Sequence, residues 1–214
     1  MTPEVGDGIS KSRLERLTDG VFAIAMTVLV LEITIPHLAP TEVSTELPKQ
    51  LVNLIPMILS YMTSFIILGF FWIGHDDQFH YIRRVNRPLL GISIFYLMFI
   101  ALIPFSTSLL GEYGNQQISV LIYGMNLIIC SFWNYVHWWY ATKNHRLIDT
   151  NLDSYFIKIE SIRYLINISM YVFAILISFI NTNISTLLYI ATPIYYLMPL
   201  QKNKYLFWSR NNKM

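Results

Sequence analysis

Leu17-Thr-Asp-Gly-Val-Phe-Ala-Ile-Ala-Met-Thr-Val-Leu-Val-Leu-Glu-Ile-Thr-Ile35 runs without proline until Pro36 and holds only two charged side chains, Asp19 and Glu32. At about 1.5 Å of rise per residue such a run crosses a hydrocarbon layer of about 30 Å as a single helix. Lys11, Arg13 and Arg16 precede it, as basic residues precede a signal peptide. The apolar stretch is too long for that role, and Ile35-Pro-His-Leu-Ala-Pro40 is a poor small-residue cleavage site. The run reads as a retained membrane helix.

The same length test selects five more windows: 52–74, 88–110, 118–140, 164–180 and 184–200. With 17–35 they make six transmembrane helices in one all-α domain over residues 1–214. Composition agrees. Of 214 residues, 54% are apolar and 13% charged, about half the charge that coats a soluble domain. The apolar excess needs a lipid bilayer as its solvent. A net charge of +2 argues for no nucleic-acid partner. The single cysteine, Cys130, excludes an intrachain disulfide and reads as a small buried hydrophobe. Asn181-Thr-Asn183 implies a tight hairpin between the last two spans, and the polar segment 142–161 a loop or helical extension.

Orientation follows from the basic residues. Fourteen of the fifteen fall before the first span, in the second–third and fourth–fifth loops, or in the tail, and only Lys49 lies on the other side. The positive-inside rule then puts both termini in the cytoplasm of a cell-membrane protein. Trp138, Trp139, Tyr140, Phe207 and Trp208 sit where amphipathic rings anchor a span at the interface.

On the first helix Ile24, Thr27, Val28 and Leu31 share one narrow face at spacings of three, four and seven. A stripe of this kind is also acceptable to lipid. Asp19 stands at the start of the apolar run, either as an N-terminal cap or as a functional intramembrane carboxylate. The second span runs back, so its last turn, Phe71-Trp-Ile-Gly-His75, returns to the level of Asp19. Arg13, Thr18, Asp19, Trp72 and His75 could satisfy one another there in a hydrogen-bonded cluster, the alternative being separate caps and interface residues.

Arg13-x-x-x-Leu17-Thr18-Asp19, followed by an apolar helix carrying Thr27, resembles the first-helix signature of the transmembrane protein 175 family of potassium channels, Arg-x-x-x-Phe-Ser-Asp. Phe71-Trp72-x-x-His75, Arg83-Arg84 and Leu102-Ile-Pro104-Phe105 resemble that family's second and third helices. Leu17 for Phe and Thr18 for Ser depart from the pattern, the second keeping the hydroxyl. The resemblance implies a homotetramer whose pore is lined by the first helix, with no carbonyl filter and no cofactor, potassium being the permeant ion. It places Ile24 at the tightest ring, Thr27 one turn outward, and Val28 and Leu31 beyond. It makes Arg13, Thr18, Asp19, Trp72 and His75 an inner network that holds the pore helix.

Other polar residues carry less. Glu32 reads as an external cation attractor or a snorkelling interface residue, and His37 as an exposed loop residue. His75 and His80 fall on different helical faces, which argues against a metal site. His137 reads as a packing polar residue. No catalytic triad, phosphate loop or carboxylate pair shares a depth, so the reading is not an enzyme. The competing reading is a secondary transporter coupling an ion or proton to a small solute. Pro56, Gly69, Pro104 and Pro193 interrupt spans as transporters require, but no paired halves are visible.

Overall fold

The computed structural model describes residues 10–34 and 37–197. Eight α-helices follow one another among these residues: α1 (Lys11–Val28), α2 (Val43–Asn53), α3 (Ile55–Tyr81), α4 (Arg87–Ala101), α5 (Ile103–Tyr113), α6 (Gln117–Thr142), α7 (Ser154–Ser178) and α8 (Thr182–Leu197). A 3-10 turn, Leu29–Glu32, prolongs α1, and another, Lys143–His145, follows α6. The only non-helical pairing among the described residues is an isolated antiparallel bridge between Ile82 and Ile148.

By length and composition four segments are able to cross a membrane: α3, α4 with α5 (87–113), α6 with its 3-10 turn, and α7. The chain is a membrane protein. α1 carries Lys11, Arg13, Glu15, Arg16 and Asp19 in its first half, and α8 has 16 described residues. Neither reaches that threshold, so six crossings remain a proposal.

The helices depart from the expected windows in four places. α1 ends at Val28 and tightens into the 3-10 turn instead of continuing to Ile35, which lies with Pro36 outside the described residues. The short α2 precedes the second window and was not foreseen. The third window is two helices broken at Leu102. The polar segment 142–161 is half loop, with Asn144 and His145 at φ of 55° and 52°, and half helix, because α7 starts at Ser154. Asp153 caps that start by accepting from Tyr155 N at 2.9 Å. The end of the sixth window, the basic tail, Phe207 and Trp208 lie outside the described residues.

The break at Leu102 has a local cause. Pro104 has no N–H and its ring crowds the carbonyl of Ile100, so the rungs between α4 and α5 cannot continue. Asn126 of α6 fills the gap. With its oxygen turned to Ile103 N (3.3 Å) and the Ser106 hydroxyl (3.1 Å), its amide donates to Phe99 O (3.3 Å). One side chain thus bridges the missing Ile103-to-Phe99 rung, which is how broken helices are tolerated away from water.

α6 is the hub, packing against α3, α4, α5, α7 and α8, while α1 packs on α3, α4 and α5. Without water to drive association, close approach and buried hydrogen bonds hold such helices together. Ser64 bonds the Tyr123 hydroxyl at 2.8 Å and accepts from Thr107 at 2.7 Å, tying α3, α5 and α6. The Tyr189 hydroxyl donates to Val120 O at 3.2 Å, tying α8 to α6. Asn181 caps α8 by accepting from Asn183 N (2.9 Å) and Ile184 N (3.1 Å), which turns the chain back from α7.

Gly124 makes the α6–α8 crossing close. A Cβ there would collide with the Tyr189 hydroxyl and stand 2.7 Å from Ile175 Cγ1. Gly124→Ala is expected to lower stability by about 1–3 kcal/mol, the usual cost of overpacking. Thermal unfolding in detergent measures it, and Tyr189→Phe in the same background should recover part of the loss. Equal stability of Gly124→Ala and the wild type would contradict so tight a crossing.

Candidate functional site

α1 has two faces. Leu14, Thr18, Phe22, Ala25 and Leu29 are buried against the other helices. The opposite face is left uncovered by the described residues of the chain: Leu17 is 47% exposed, Ile24 64% and Leu31 72%. Gly20, Ala23, Thr27 and Val30 are exposed with them, and Val28 is half-buried at the stripe's edge. Leu17 and Ile24 are seven residues apart, a drift of only about 20° along α1, and Leu31, in the 3-10 turn that follows, continues the exposed line. Val28, four residues from Ile24, swings about 40° toward the bundle. Sequence spacing found Ile24, Thr27 and Leu31 but passed over Leu17 and Val30.

Thr27 is the polar element of this face. Its hydroxyl lies 2.9 Å from both Ala23 O and Ile24 O. Both neighbours are acceptors, so the hydroxyl must donate to them, and its oxygen lone pairs are turned outward.

Behind the stripe the expected five-residue cluster divides in two. Trp72 Nε1 donates to Asp19 Oδ1 at 2.9 Å, joining α3 to the middle of α1; because α1 begins at Lys11, Asp19 does not cap it. Arg13 is exposed, and the buried Thr18 hydroxyl has no hydrogen-bond partner among the described residues. His75 faces away from that pair into the bundle. Its Nδ1 meets Asn134 Oδ1 at 3.3 Å, and its ring lies 4.6 Å from His137, 4.7 Å from Tyr96 and 5.0 Å from Phe79. Three residues along a helix is a rotation of about 300°. Trp72 and His75 therefore diverge by about 60°, enough for one to reach α1 and the other α6.

Gln78 organises the buried half. Its Nε2 donates to Asn134 O at 3.0 Å and Asn134 Oδ1 at 2.8 Å, and its Oε1 lies 2.6 Å from His137 Nδ1. The amide orientations set the tautomers. Gln78 Oε1 and Asn134 Oδ1 are acceptors, so His137 and His75 each carry their hydrogen on Nδ1. Both Nε2 atoms are then bare acceptors, buried without a partner among the described residues. Gln78, Asn134 and His137 were not assigned to the site from sequence. Their signal was two helical-spacing pairs of polar residues, His75 with Gln78 and Asn134 with His137, inside apolar spans.

At the end of the bundle where α1 begins, a polar groove lies between α1 and the last turns of α3, lined by Lys11, Glu15, Asp76, Phe79, His80 and Arg83. Glu32, at the other end of α1, is half-buried, and His37 is exposed.

Residues 13–104 match the family model described as endosomal/lysosomal potassium channel TMEM175. A potassium channel of Chamaesiphon minutus is 30% identical over 190 residues, covering 87% of this chain and 93% of that protein. The endosomal/lysosomal proton channel TMEM175 of Gallus gallus is 30% identical over 118 residues, covering 53% of this chain and 24% of that longer protein. The fold is similar to the crystal structure of a lysosomal potassium-selective channel TMEM175 homolog from Chamaesiphon minutus, with a TM-score of 0.77 at 26% identity over 87% of this chain and 95% of that one.

Proposed function

The chain belongs to the endosomal/lysosomal potassium channel TMEM175 family, and from that premise we propose that it is a potassium-selective channel of the cell membrane. Four copies bring their α1 stripes together on a central axis. Each chain crosses the bilayer six times, α1 and α8 included, with both termini in the cytoplasm. No carbonyl filter and no cofactor take part.

One observation carries the reading: the face of α1 made by Leu17, Ile24, Thr27 and Leu31 is not covered by any helix among the described residues of its own chain. Four such faces need only a symmetry axis to enclose a conduit. Ile24 then forms an apolar constriction that gates by dewetting. A cation passing it sheds part of its hydration shell, which potassium surrenders at lower cost than the smaller sodium ion. The outward lone pairs of Thr27, three residues on, replace some of the lost water. The Trp72–Asp19 bond holds the middle of α1 against α3, so its role is to position the pore helix. The cluster of His75, Gln78, Asn134 and His137 fastens α3 to α6 behind it.

Purified protein in liposomes tests this. Potassium flux should exceed sodium flux, and single-channel steps should be ohmic. Solute-coupled flux without such steps would favour the transporter reading instead. Because the vertebrate relative is named a proton channel, the assay carries a pH-sensing dye as a control. Within the same assay Thr27→Ala should lower the potassium-over-sodium ratio while leaving a conducting pore. Selectivity that survives this change intact would remove the hydroxyl ring from the mechanism.

A further inference from the structure

We infer that the end of the bundle where α6 stops and α4 starts holds the headgroup of an anionic phospholipid, bound between Arg87 and Arg146 with Lys143 beside them. This site lies apart from the α1 stripe and does not depend on the channel reading.

The two loops that carry these cations are laced together. Arg83 N donates to Leu147 O at 2.8 Å, Arg84 N to the same oxygen at 3.3 Å, and Ile82 bridges to Ile148. Ile82, Leu147 and Ile148 are buried under the bridge with Leu89 and Ala141. The loops therefore hold a fixed relation to one another. Tyr140, in the last turn of α6, joins them a second time. Its hydroxyl accepts from Asn86 Nδ2 at 3.1 Å, while Asn86 Oδ1 caps α4 by accepting from Leu89 N at 3.1 Å. Arg87 follows directly after Asn86.

Arg146 lies over the Tyr140 ring at 4.3 Å, and Lys143 over Trp139 at 4.6 Å. A guanidinium held over a ring face by cation–π attraction keeps N–H groups for two parallel bonds to one phosphate. Arg87, Lys143 and Arg146 are exposed, and none joins an ion pair found among the described residues. The carboxylates next along the chain are engaged elsewhere: Asp149 accepts from Asn151 N and Asp153 from Tyr155 N.

Depth distinguishes a lipid from a dissolved anion. Trp139 is 45% exposed at the end of a membrane-crossing helix, the level at which indole rings meet headgroups. A phosphate held by Arg87 and Arg146 beside that ring would have its acyl chains along the exposed apolar flank of α6, where Phe132 and Met125 project. Clusters of basic residues just beyond a membrane helix attract anionic lipid in this way.

Native mass spectrometry of the full chain purified in detergent tests the assignment, with phosphatidylglycerol and phosphatidylcholine as probes. Phosphatidylglycerol should be retained well above phosphatidylcholine. Arg87→Gln/Arg146→Gln should weaken it by about fivefold per charge removed, while Arg87→Lys/Arg146→Lys should keep most of the binding and the same assembly. Equal retention of the two lipids by the wild type would overturn the site, as would undiminished phosphatidylglycerol on the glutamine variant. Full displacement by millimolar glycerol phosphate would assign the cations to a soluble anion and overturn the lipid. No arm measures ion flux, so the site and the channel fail separately.

Discussion

Ile24→Asn is expected to raise unitary conductance several-fold and to bring the potassium-over-sodium ratio down toward that of free solution. The reasoning begins with water. A ring of four isoleucine side chains offers no hydrogen bonds, so a narrow passage between them empties and an ion meets a desolvation barrier. Amides at the same place would hold water in the constriction and lower that barrier for every cation, with sodium gaining more because it loses more on dehydration. The opposing geometry makes a different forecast. If Ile24, 64% exposed on the single chain, faced lipid, an amide would cost insertion free energy and leave the current per channel unchanged. Single-channel recording in planar bilayers separates the two, since conductance per channel is independent of how much protein inserts. An unchanged conductance from correctly assembled protein would defeat the pore assignment. Leu31→Asn, one heptad further along the stripe, should have the same sign with a smaller effect if the constriction is narrowest at Ile24.

What could be read from the chain before folding follows from which forces act locally. Lipid contact demands long apolar runs, so the segments that became α3, α6 and α7 were visible as windows, and the stripe on α1 was visible because helical rotation is a property of the segment alone. Its mid-line was less so. Val28 was placed with Ile24 by spacing, but only packing decides which edge of a stripe turns inward, and Val28 is half-buried. The break at Leu102 needed information from elsewhere. Pro104 signals a weakness, yet whether the helix bends, ends or repacks depends on Asn126, which lies on another helix. The split of the expected cluster has the same origin. Trp72 and His75 belong to one turn, and nothing in that turn says that α1 covers one side of it and α6 the other. Gln78, Asn134 and His137 were legible only as polar residues in apolar spans. That they are one network is a fact of the α3–α6 contact.

The two halves of the site carry different kinds of load. The Asp19–Trp72 bond joins two side chains exposed on the single chain, and its removal should be felt chiefly in how α1 is placed. The buried half is the reverse. His75, Gln78, Asn134 and His137 are each at most 2% exposed, and every bond among them lies where no water competes.

Gln78→Leu should therefore be among the most destabilising single changes in the bundle. The substitution keeps the volume and removes three hydrogen bonds at once: two from Nε2 to Asn134 and one from His137 Nδ1 to Oε1. Bonds between membrane helices contribute about 0.6–2 kcal/mol each. The loss here should reach about 2–4 kcal/mol, because the His137 Nδ1–H is left buried and unpaired, as a donor facing hydrocarbon. Thermal unfolding of the detergent-purified assembly gives the number, and a double-mutant cycle gives its origin. Asn134→Leu alone removes the Gln78 bond to Oδ1 and the His75 bond while leaving the Gln78 bond to the Asn134 carbonyl. The Gln78–Oδ1 bond is lost in both single changes, so the pair Gln78→Leu/Asn134→Leu should cost less than the two single losses added together. Strict additivity would mean that the four side chains do not act as one network, and a Gln78→Leu protein as stable as the wild type would mean that α3 and α6 are held by packing alone.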